Sequence, residues 1–194
     1  MLRDDGPREI RFGRGSPFID LRLSCGGGMD LLFNEVFDDQ LGERLISEIA
    51  ARRSFSLAMP RTQSTIQLSL NADRFGVAKN SKFCTVNHIS RLRLADLGQG
   101  AAVEKLRDLA LACPADVIVG SPDAALTGGA GAFVHLKSPT DDFASALDKW
   151  TATVFLFHDH DWELTALLRI LDGSGFYIGA MGSRATQAAR FWMA

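Results

Sequence analysis

The fold is decided by the stretch Thr153–Arg190, which reads TVFLFHDHDWELTALLRILDGSGFYIGAMGSRATQAAR. Buried strands are predicted over Thr153–Phe157 and Phe176–Ala180, because both are short apolar runs bounded by polar or glycine residues. The helix predicted between them carries its leucines at the i, i+3, i+4, i+7 spacing of one apolar face: Leu164, Leu167, Leu168 and Leu171. A strand, a helix and a second strand in this order are typical of a βαβ unit in a parallel sheet.

The second half of the chain repeats this alternation of strands and helices. Further strands are predicted over Leu92–Leu97, Asp116–Val119 and Phe133–Leu136. The helix after the first of them places its apolar residues towards the sheet: Val103, Leu106, Ala110 and Cys113. We therefore expect residues 91–194 to form a Rossmann-like domain of the α/β class, with parallel strands in the spatial order 3-2-1-4-5.

The first half has shorter strands around one helix, which predicts a small N-terminal α/β domain over residues 1–75. Its strands are predicted at Arg8–Phe12, Phe18–Leu23, Met29–Phe33, Phe55–Met59 and Thr65–Leu70. Its helix is predicted over Gln40–Arg53, with one apolar face: Leu41, Leu45, Ile46 and Ile49. The polar stretch that follows is interpreted as a linker over residues 76–90.

Composition and charge exclude several classes of protein. The 194 residues are 46% hydrophobic, which suits a globular core, and their net charge of -2 gives no basic footprint for nucleic acid. The apolar runs are too short to span a bilayer and the chain opens without a signal peptide, so we expect a cytoplasmic protein without membrane contact. Three cysteines without CxxC spacing indicate free thiols rather than a disulfide framework or a zinc site.

Glycine or polar residues follow each of the main strands of the second half. The carboxyl ends of parallel strands meet at one edge of a sheet, and ligands bind at that edge in α/β folds. We therefore expect the residues at these strand ends to border one cleft: Gly98, Gly100, Asp123, His158 and Ser183.

The Gly98-Gln99-Gly100 turn allows two interpretations. Between a strand and a helix, G-x-G lets a pyrophosphate sit at the helix N-terminus, and Asp123 stands about 20 residues further on, where an acid binds a ribose hydroxyl. Val103, however, occupies the place of the third glycine of that fingerprint. A plain glycine turn is therefore an equal alternative, and an NAD(P)-dependent oxidoreductase is one of two hypotheses for the function.

The run His158-Asp159-His160-Asp161 ends the strand Thr153–Phe157. Two histidines and two aspartates can ligate a metal. No cysteine or further histidine is near them in sequence, so we favour a turn without metal in which Asp161 caps the following helix. In that turn His158 and Asp159 are expected to take part in the cleft.

Cys25 lies in a turn with Gly26, Gly27 and Gly28, between two predicted strands. A thiol among backbone amides is placed to bind a soft ligand, whereas a small buried residue in a tight turn is the simpler alternative. Cys113 lies on the apolar face of a predicted helix. We therefore expect Cys25 to be reactive and Cys113 to be protected.

Three blocks of the sequence carry a resemblance to a known family. They are SCGGGMDLLF at Ser24–Phe33, the glycine turn with its helix at Leu97–Leu106, and FHDHDWE with FYIGAMGSR at Phe157–Glu163 and Phe176–Arg184. The chain resembles the XdhC/CoxI family, accessory and maturation proteins for molybdenum hydroxylases such as xanthine dehydrogenase and carbon monoxide dehydrogenase. The resemblance covers nearly the whole chain in order. Family members continue further at both ends, so we expect a shortened member.

The resemblance implies both a fold and a role. The fold is an N-terminal α/β domain with the CGGG loop, followed by a Rossmann-like domain. The role is to bind the molybdenum cofactor (molybdopterin), to hold it while its terminal sulfur is installed, and to pass it to the apoenzyme of a molybdenum hydroxylase.

The expected cofactor site combines these motifs. The glycine turn and Ser183, as a helix N-cap, supply amides for a phosphate, and Arg184 supplies a permanent charge that can pair with phosphate bidentately. The full set of expected binding residues is Cys25, Gly26, Gly27, Gly98, Gly100, Asp123, His158, Asp159, Gly182, Ser183 and Arg184. No residue is assigned a catalytic or metal-ligating role. A homodimer is also expected, because the small first domain leaves strand edges that a second copy could cover.

Overall fold

The computed structural model describes residues 6–18, 23–34, 38–62 and 65–184. The chain divides into two compact units, Met1–Ser90 and Arg91–Ala194. None of the helices within the described ranges has the length and apolar content of a membrane span.

In its described residues the first unit contains a two-stranded ribbon, one helix and a four-stranded antiparallel sheet. The ribbon pairs β1 (Arg8–Gly13) with β2 (Gly28–Phe33), and α1 covers Asp39–Ala50. The sheet has the order β4-β3-β6-β5 and consists of β3 (Phe55–Pro60), β4 (Gln67–Leu70), β5 (Gly76–Lys79) and β6 (Phe83–His88). The strand expected over Phe18–Leu23 lies mostly outside the described residues.

The stretch expected to be a linker, residues 76–90, instead forms β5 and β6. The alternation of apolar residues that predicts a strand is missing here, because polar side chains occupy these positions and contact partners on the neighbouring strand. The Ser56 hydroxyl donates to the Asn87 side-chain oxygen at 2.7 Å, and the His88 ring stacks on Phe55 with centroids 4.6 Å apart. Such cross-strand pairs stabilise a sheet without an alternation of apolar residues.

Helix α1 buries only part of the face expected for it. Its N-cap is Asp38, whose carboxylate accepts a hydrogen bond from the Gln40 amide at 2.7 Å. Leu45 and Glu48 are buried, whereas Ile46 and Ile49 are 69% and 50% exposed. Glu48 can be buried because Arg53 pairs with it, and this hydrogen-bonded pair holds the pKa of the Glu48 carboxyl below its usual value.

The second unit is a parallel sheet in the order β9-β8-β7-β10-β11, so the expected order 3-2-1-4-5 is confirmed. Its strands are β7 (Arg93–Gly98), β8 (Asp116–Ser121), β9 (Ala132–His135), β10 (Thr151–Leu156) and β11 (Tyr177–Ala180). Helix α2 covers Ala101–Leu111 and α3 covers His160–Leu171. The Rossmann-like fold predicted for this half is therefore present.

The two faces of this sheet carry separate apolar cores. On one face Phe155 and Leu97 pack with Leu167 and Ile170 of α3. On the other face Val119 and Leu156 pack with Val103 of α2. Helices on both faces of a parallel sheet bury it from both sides, which explains why β8 and β10 are largely apolar along their length.

Both helices of the second unit differ from expectation in which residues they bury. In α3 the buried face is Glu163, Ala166, Leu167 and Ile170, one position away from the expected leucine row, and Leu168 and Leu171 are exposed. In α2 Val103 is buried as expected. The helix ends at Leu111, however, so Cys113 lies beyond it in an exposed turn rather than in the core.

Strand β7 buries one carboxyl group. Asp96 is 0% exposed, and neither of its carboxylate oxygens has a hydrogen-bond partner among the described residues. Burial disfavours the charged form and raises the pKa of Asp96 to about 7, although the nearby positive charge of Arg107 acts in the opposite direction. Asp96 therefore keeps its proton under conditions in which an exposed aspartate loses it.

The raised pKa of Asp96 predicts how stability depends on pH. Between about pH 4 and about pH 7 the folded chain retains a proton that the unfolded chain loses, so the free energy of unfolding falls as the pH rises. We expect this loss to be on the order of 2–4 kcal/mol and to be absent in Asp96→Asn, which stays neutral. Urea unfolding across this pH range measures it. The control is Asp172→Asn, which removes an exposed carboxylate, and an identical pH dependence of wild type and Asp96→Asn would contradict the prediction.

Candidate functional site

The strands of the second unit all end at one edge of the sheet. Leu156 of β10 lies opposite Gly98 of β7, and Phe155 lies opposite Ala180 of β11. The Met181 amide extends this pairing by donating to the Phe155 carbonyl at 3.0 Å. The residues that follow these strands are thus brought to one edge, as expected from the sequence, while their role in binding stays a prediction.

The two glycines of the Gly98-Gln99-Gly100 turn are required for different reasons. A Cβ atom on Gly98 would lie 2.7 Å from the backbone carbon and oxygen of Leu156, so only glycine allows this approach of β7 to β10. Gly100 has a φ of +79°, which glycine alone adopts readily, and a Cβ there would meet nothing within 4 Å. Gly100 is the N-cap of α2 and provides no side-chain cap, so the first-turn amides open towards this edge.

Asp123 has a local structural role. Its carboxylate accepts a hydrogen bond from the Ala125 amide at 2.9 Å and caps the 3-10 helix Ala124–Gly128. The Asp123 amide in turn donates to the Ser121 hydroxyl at 3.0 Å. An acid at this position is therefore explained by the turn itself, without a ribose to bind.

The turn after β10 places two of the expected residues at the edge. His158 and Asp159 are both exposed. Asp159 is the N-cap of α3 and accepts from the amides of Asp161 and Trp162 at 2.9 and 3.4 Å. The expectation that Asp161 caps this helix is wrong, because the chain is extended at Asp159 and Asp161 is already in the first turn.

Gly182, Ser183 and Arg184 follow β11 and are exposed. The residues expected to form a helix after Ser183 lie mostly outside the described part of the chain, which ends at Arg184, so the role of Ser183 as an N-cap stays a prediction. Arg184 brings a guanidinium to the end of β11. Within the described ranges, no group of three or more histidine, cysteine, aspartate or glutamate side chains is arranged to hold a metal ion.

The CGGG turn belongs to the first unit, where it is bound closely to β1. Gly26 has a φ of +68°, and its amide donates to the Leu23 carbonyl at 2.9 Å. The Gly27 carbonyl oxygen accepts a hydrogen bond from the Arg14 amide at 2.8 Å. A Cβ atom on Gly13 would lie only 2.4 Å from the same oxygen. Cys25 is exposed on this turn.

Arg14 is a residue that sequence reasoning missed. It lines an open depression of about 280 Å³ together with Gly13, Leu23, Gly26 and Gly27. Its carbonyl accepts from the Arg11 side chain at 2.7 Å, and Arg11 also pairs with Asp30 at 3.0 Å. The signal that could have found it is the Gly13-Arg14-Gly15 sequence, whose glycines have φ values of +79° and +80° and turn the chain towards the CGGG loop.

The chain is similar to proteins of molybdenum enzyme maturation. A family model described as the XdhC Rossmann domain matches residues 94–193. A curated relative, the molybdenum cofactor insertion chaperone PaoD of Escherichia coli strain K12, is 29% identical over 192 residues, which are 98% of this chain and 54% of the relative. The chain thus spans about half the length of that relative.

A solved structure supports the fold. It is described as a xanthine dehydrogenase from Bacillus halodurans and superposes with a TM-score of 0.64 at 16% identity, covering 96% of this chain and 65% of that one. At this identity the likeness concerns the fold alone.

The exposure of the cysteines changes the expected pattern of thiol reactivity. Cys25 and Cys113 are both exposed, whereas Cys84 in β6 is half-buried. We expect a maleimide to label Cys25 and Cys113 rapidly in the native protein and Cys84 slowly, because a thiol must be accessible to react. Mass spectrometry of digested, time-resolved samples measures each site. Protection of Cys113 at the level of Cys84 would show that the turn after α2 is covered.

Proposed function

We propose, since the chain belongs to the XdhC family, that it binds the molybdenum cofactor and delivers it to the apoenzyme of a molybdenum hydroxylase. The observation that carries this proposal is the similarity along almost the whole chain to a protein named as a molybdenum cofactor insertion chaperone. The cofactor is then the cargo of the protein. A cytoplasmic location, where an apoenzyme is completed, is part of the same proposal.

The carboxyl edge of the parallel sheet fits the phosphate end of such a cargo. The uncapped first turn of α2 at Gly100 offers backbone amides and the favourable end of the helix dipole to an anion. Arg184 adds a guanidinium that can pair with phosphate through two hydrogen bonds. Together with Gly98, Gly182 and Ser183, these groups form the proposed phosphate contacts.

The polar ring system of a pterin requires hydrogen-bond partners beside the phosphate. His158 and Asp159 are exposed at the end of the neighbouring strand β10. Asp159 already caps α3 through one carboxylate oxygen, so its second oxygen is the atom we assign to a pterin N–H. His158 contributes a ring nitrogen of either hydrogen-bonding character.

Within the first unit, the CGGG turn is proposed by itself as a contact for a soft, sulfur-bearing ligand. An exposed thiol at Cys25, with Gly26 and Gly27 beside it, suits a molybdenum or sulfur atom better than a hard anion. Arg14 in the adjoining depression adds a positive charge for the anionic dithiolene.

An NAD(P)-dependent oxidoreductase has less support. Its distinguishing residue would be Asp123, and the hydrogen bond from Ala125 explains that residue as a helix cap. The turn at Gly98 and Gly100 suits either ligand, since both carry phosphate.

A homodimer is the assembly that we propose for the chain. Strand β11 is the last strand of the described sheet, and the residues from Gly175 to Gly182 carry no charge to prevent edge pairing. Exposed apolar side chains lie on β11 and next to it in the sequence (Phe176, Tyr177 and Met181), and others lie on the preceding helix α3 (Leu168 and Leu171). A second copy that pairs along β11 would cover this edge and these side chains.

Variants at the carboxyl edge of the parallel sheet distinguish binding of molybdopterin from binding of NAD(P). We expect Arg184→Ala to lower retention of molybdopterin at least tenfold, because the loss of a phosphate-paired guanidinium costs about 1.5–3 kcal/mol. Asp123→Ala should leave retention unchanged. Arg169→Ala is the matched control, since it removes another exposed arginine of the same unit. Retention is measured as the fluorescent oxidation product of the pterin after gel filtration. Binding of NAD(P) that Asp123→Ala abolishes, in a protein that never retains the pterin, would establish the oxidoreductase instead.

The dimer is tested by placing a charge on the proposed edge. We expect light scattering to show a dimer for the wild type at micromolar concentration and a monomer for Tyr177→Lys, because a lysine on an exposed strand opposes edge pairing. Val77→Lys is the control, as this side chain is also exposed on a strand but belongs to the first unit. A wild-type monomer, or a dimer that Val77→Lys dissociates and Tyr177→Lys does not, would contradict this interface.

A further inference from the structure

Asp96 is enclosed on the face of the sheet that carries α2. Its neighbours across β8 and β10 are Val119 and Val154, and both belong to the apolar cluster that contains Val103 in the first turn of α2. The carboxyl group is therefore buried between the sheet and the start of α2. It is fully buried and lacks a hydrogen-bond partner among the described residues.

Arg107 does not neutralise this carboxyl group by a direct hydrogen bond. Its guanidinium donates to the Leu126 carbonyl at 3.4 Å and contacts Asp108 at 3.4 Å. Gly129 lies against the same group, since a Cβ there would be 1.9 Å from Nη1 of Arg107. Arg107 therefore acts on Asp96 as a nearby positive charge and not as a hydrogen-bond partner.

The candidate anion site lies close to this carboxyl group along the chain. The four residue steps from Asp96 to Gly100 span at most about 14 Å. An anion at the first-turn amides of α2 and an ionised Asp96 would repel each other through the protein interior, where charges are poorly screened. A neutral Asp96 imposes no such cost.

We propose that Asp96 makes anion binding at the Gly98–Gly100 turn proton-linked: its protonated form permits a phosphate-class anion there, and its ionised form disfavours it. The inference rests on the proposed function, in which this turn holds the phosphate of the cargo. Its consequence is that the protein binds its cargo tightly on the acidic side of neutrality and weakly on the alkaline side. The raised pKa of Asp96 puts this change near pH 7.

The groups packed around Asp96 determine how readily it loses its proton. Arg107 from α2 favours the ionised form of Asp96, but less strongly than burial opposes it. Strands β8 and β10 present Val119 and Val154 to Asp96, and the 3-10 helix contributes Leu126 to the same cluster. His158 lies at the same edge in wild type and in Asp96→Asn, so the comparison of the two proteins cancels its contribution.

The test uses sulfate, which keeps one charge state in this pH range, and the whole chain. Binding is followed by the amide resonances of Ala101 and Ala102 at about pH 6 and about pH 8 in wild type and Asp96→Asn. Because the charge of Asp96 lies within about 14 Å of these amides along the chain, we expect the wild-type affinity to fall about tenfold more than that of the variant. An equal fall in both proteins, or no sulfate binding to these amides at either pH, would overturn the inference.

A second measurement needs no variant. The carboxyl carbon of Asp96 is titrated by NMR with and without sulfate, and linkage requires its midpoint to rise when the anion is bound. An unchanged midpoint would also overturn the inference.

Molybdopterin retention by the wild type and Asp96→Asn distinguishes a failure of the proposed function from a failure of the proton linkage. Retention with the same pH dependence in wild type and Asp96→Asn would leave the proposed function intact and refute the linkage. Proton-linked sulfate binding in a protein that does not retain molybdopterin would support the linkage and refute the proposed function.

Discussion

The parallel pairing of β7 with β10 is the interaction on which the candidate site depends. The two strands approach so closely at Gly98 and Leu156 that no side chain fits between them. This contact fixes the level at which β7 ends and the chain turns into α2. It also places the end of β10, with His158, beside that turn. A sheet with a wider or shifted pairing would separate the helix N-terminus from the residues proposed to share a ligand with it.

Strand β7 also carries an energetic cost, because it contains Asp96. Burial of an unpaired carboxyl group at Asp96 opposes folding above its ordinary pKa, and the apolar cluster around Val103, Val119 and Leu156 must offset it. Titratable groups with shifted pKa values concentrate at functional sites, where their environment serves a reaction or a ligand. Asp96 lies two residues before Gly98, where the proposed anion site begins. The free-energy cost of burying its carboxyl group is therefore consistent with a role in binding.

Much of the second unit could be predicted from the sequence, because its pattern is local. The alternation of buried strands and helices predicted the parallel sheet. The strand order 3-2-1-4-5 is one of several orders that this alternation allows, and it is the order that the structure has. The shared edge of Gly98, His158 and Ser183 followed from that sheet. The cap at Asp159 was missed, since two aspartates in one turn compete for the role and only the backbone angle decides between them.

Features that depend on tertiary partners could not be predicted. Strands β5 and β6 were hidden because the polar residues Asn87 and His88 are satisfied by partners far away in sequence. The buried face of α1 includes Glu48, which only its pairing with Arg53 makes tolerable. Nothing in the spacing around Asp96 indicates that a charged residue type would be buried, because the surrounding run reads as an ordinary strand.

Chemical-shift mapping tests most directly whether the carboxyl edge of the parallel sheet holds the molybdenum cofactor, as we propose. Amide resonances of the labelled chain are recorded during titration with molybdopterin under anaerobic conditions. The account predicts the largest shifts at Gly98–Gly100, His158–Asp159 and Gly182–Arg184. Shifts confined to the CGGG turn, or an absence of shifts at saturating cofactor, would contradict it.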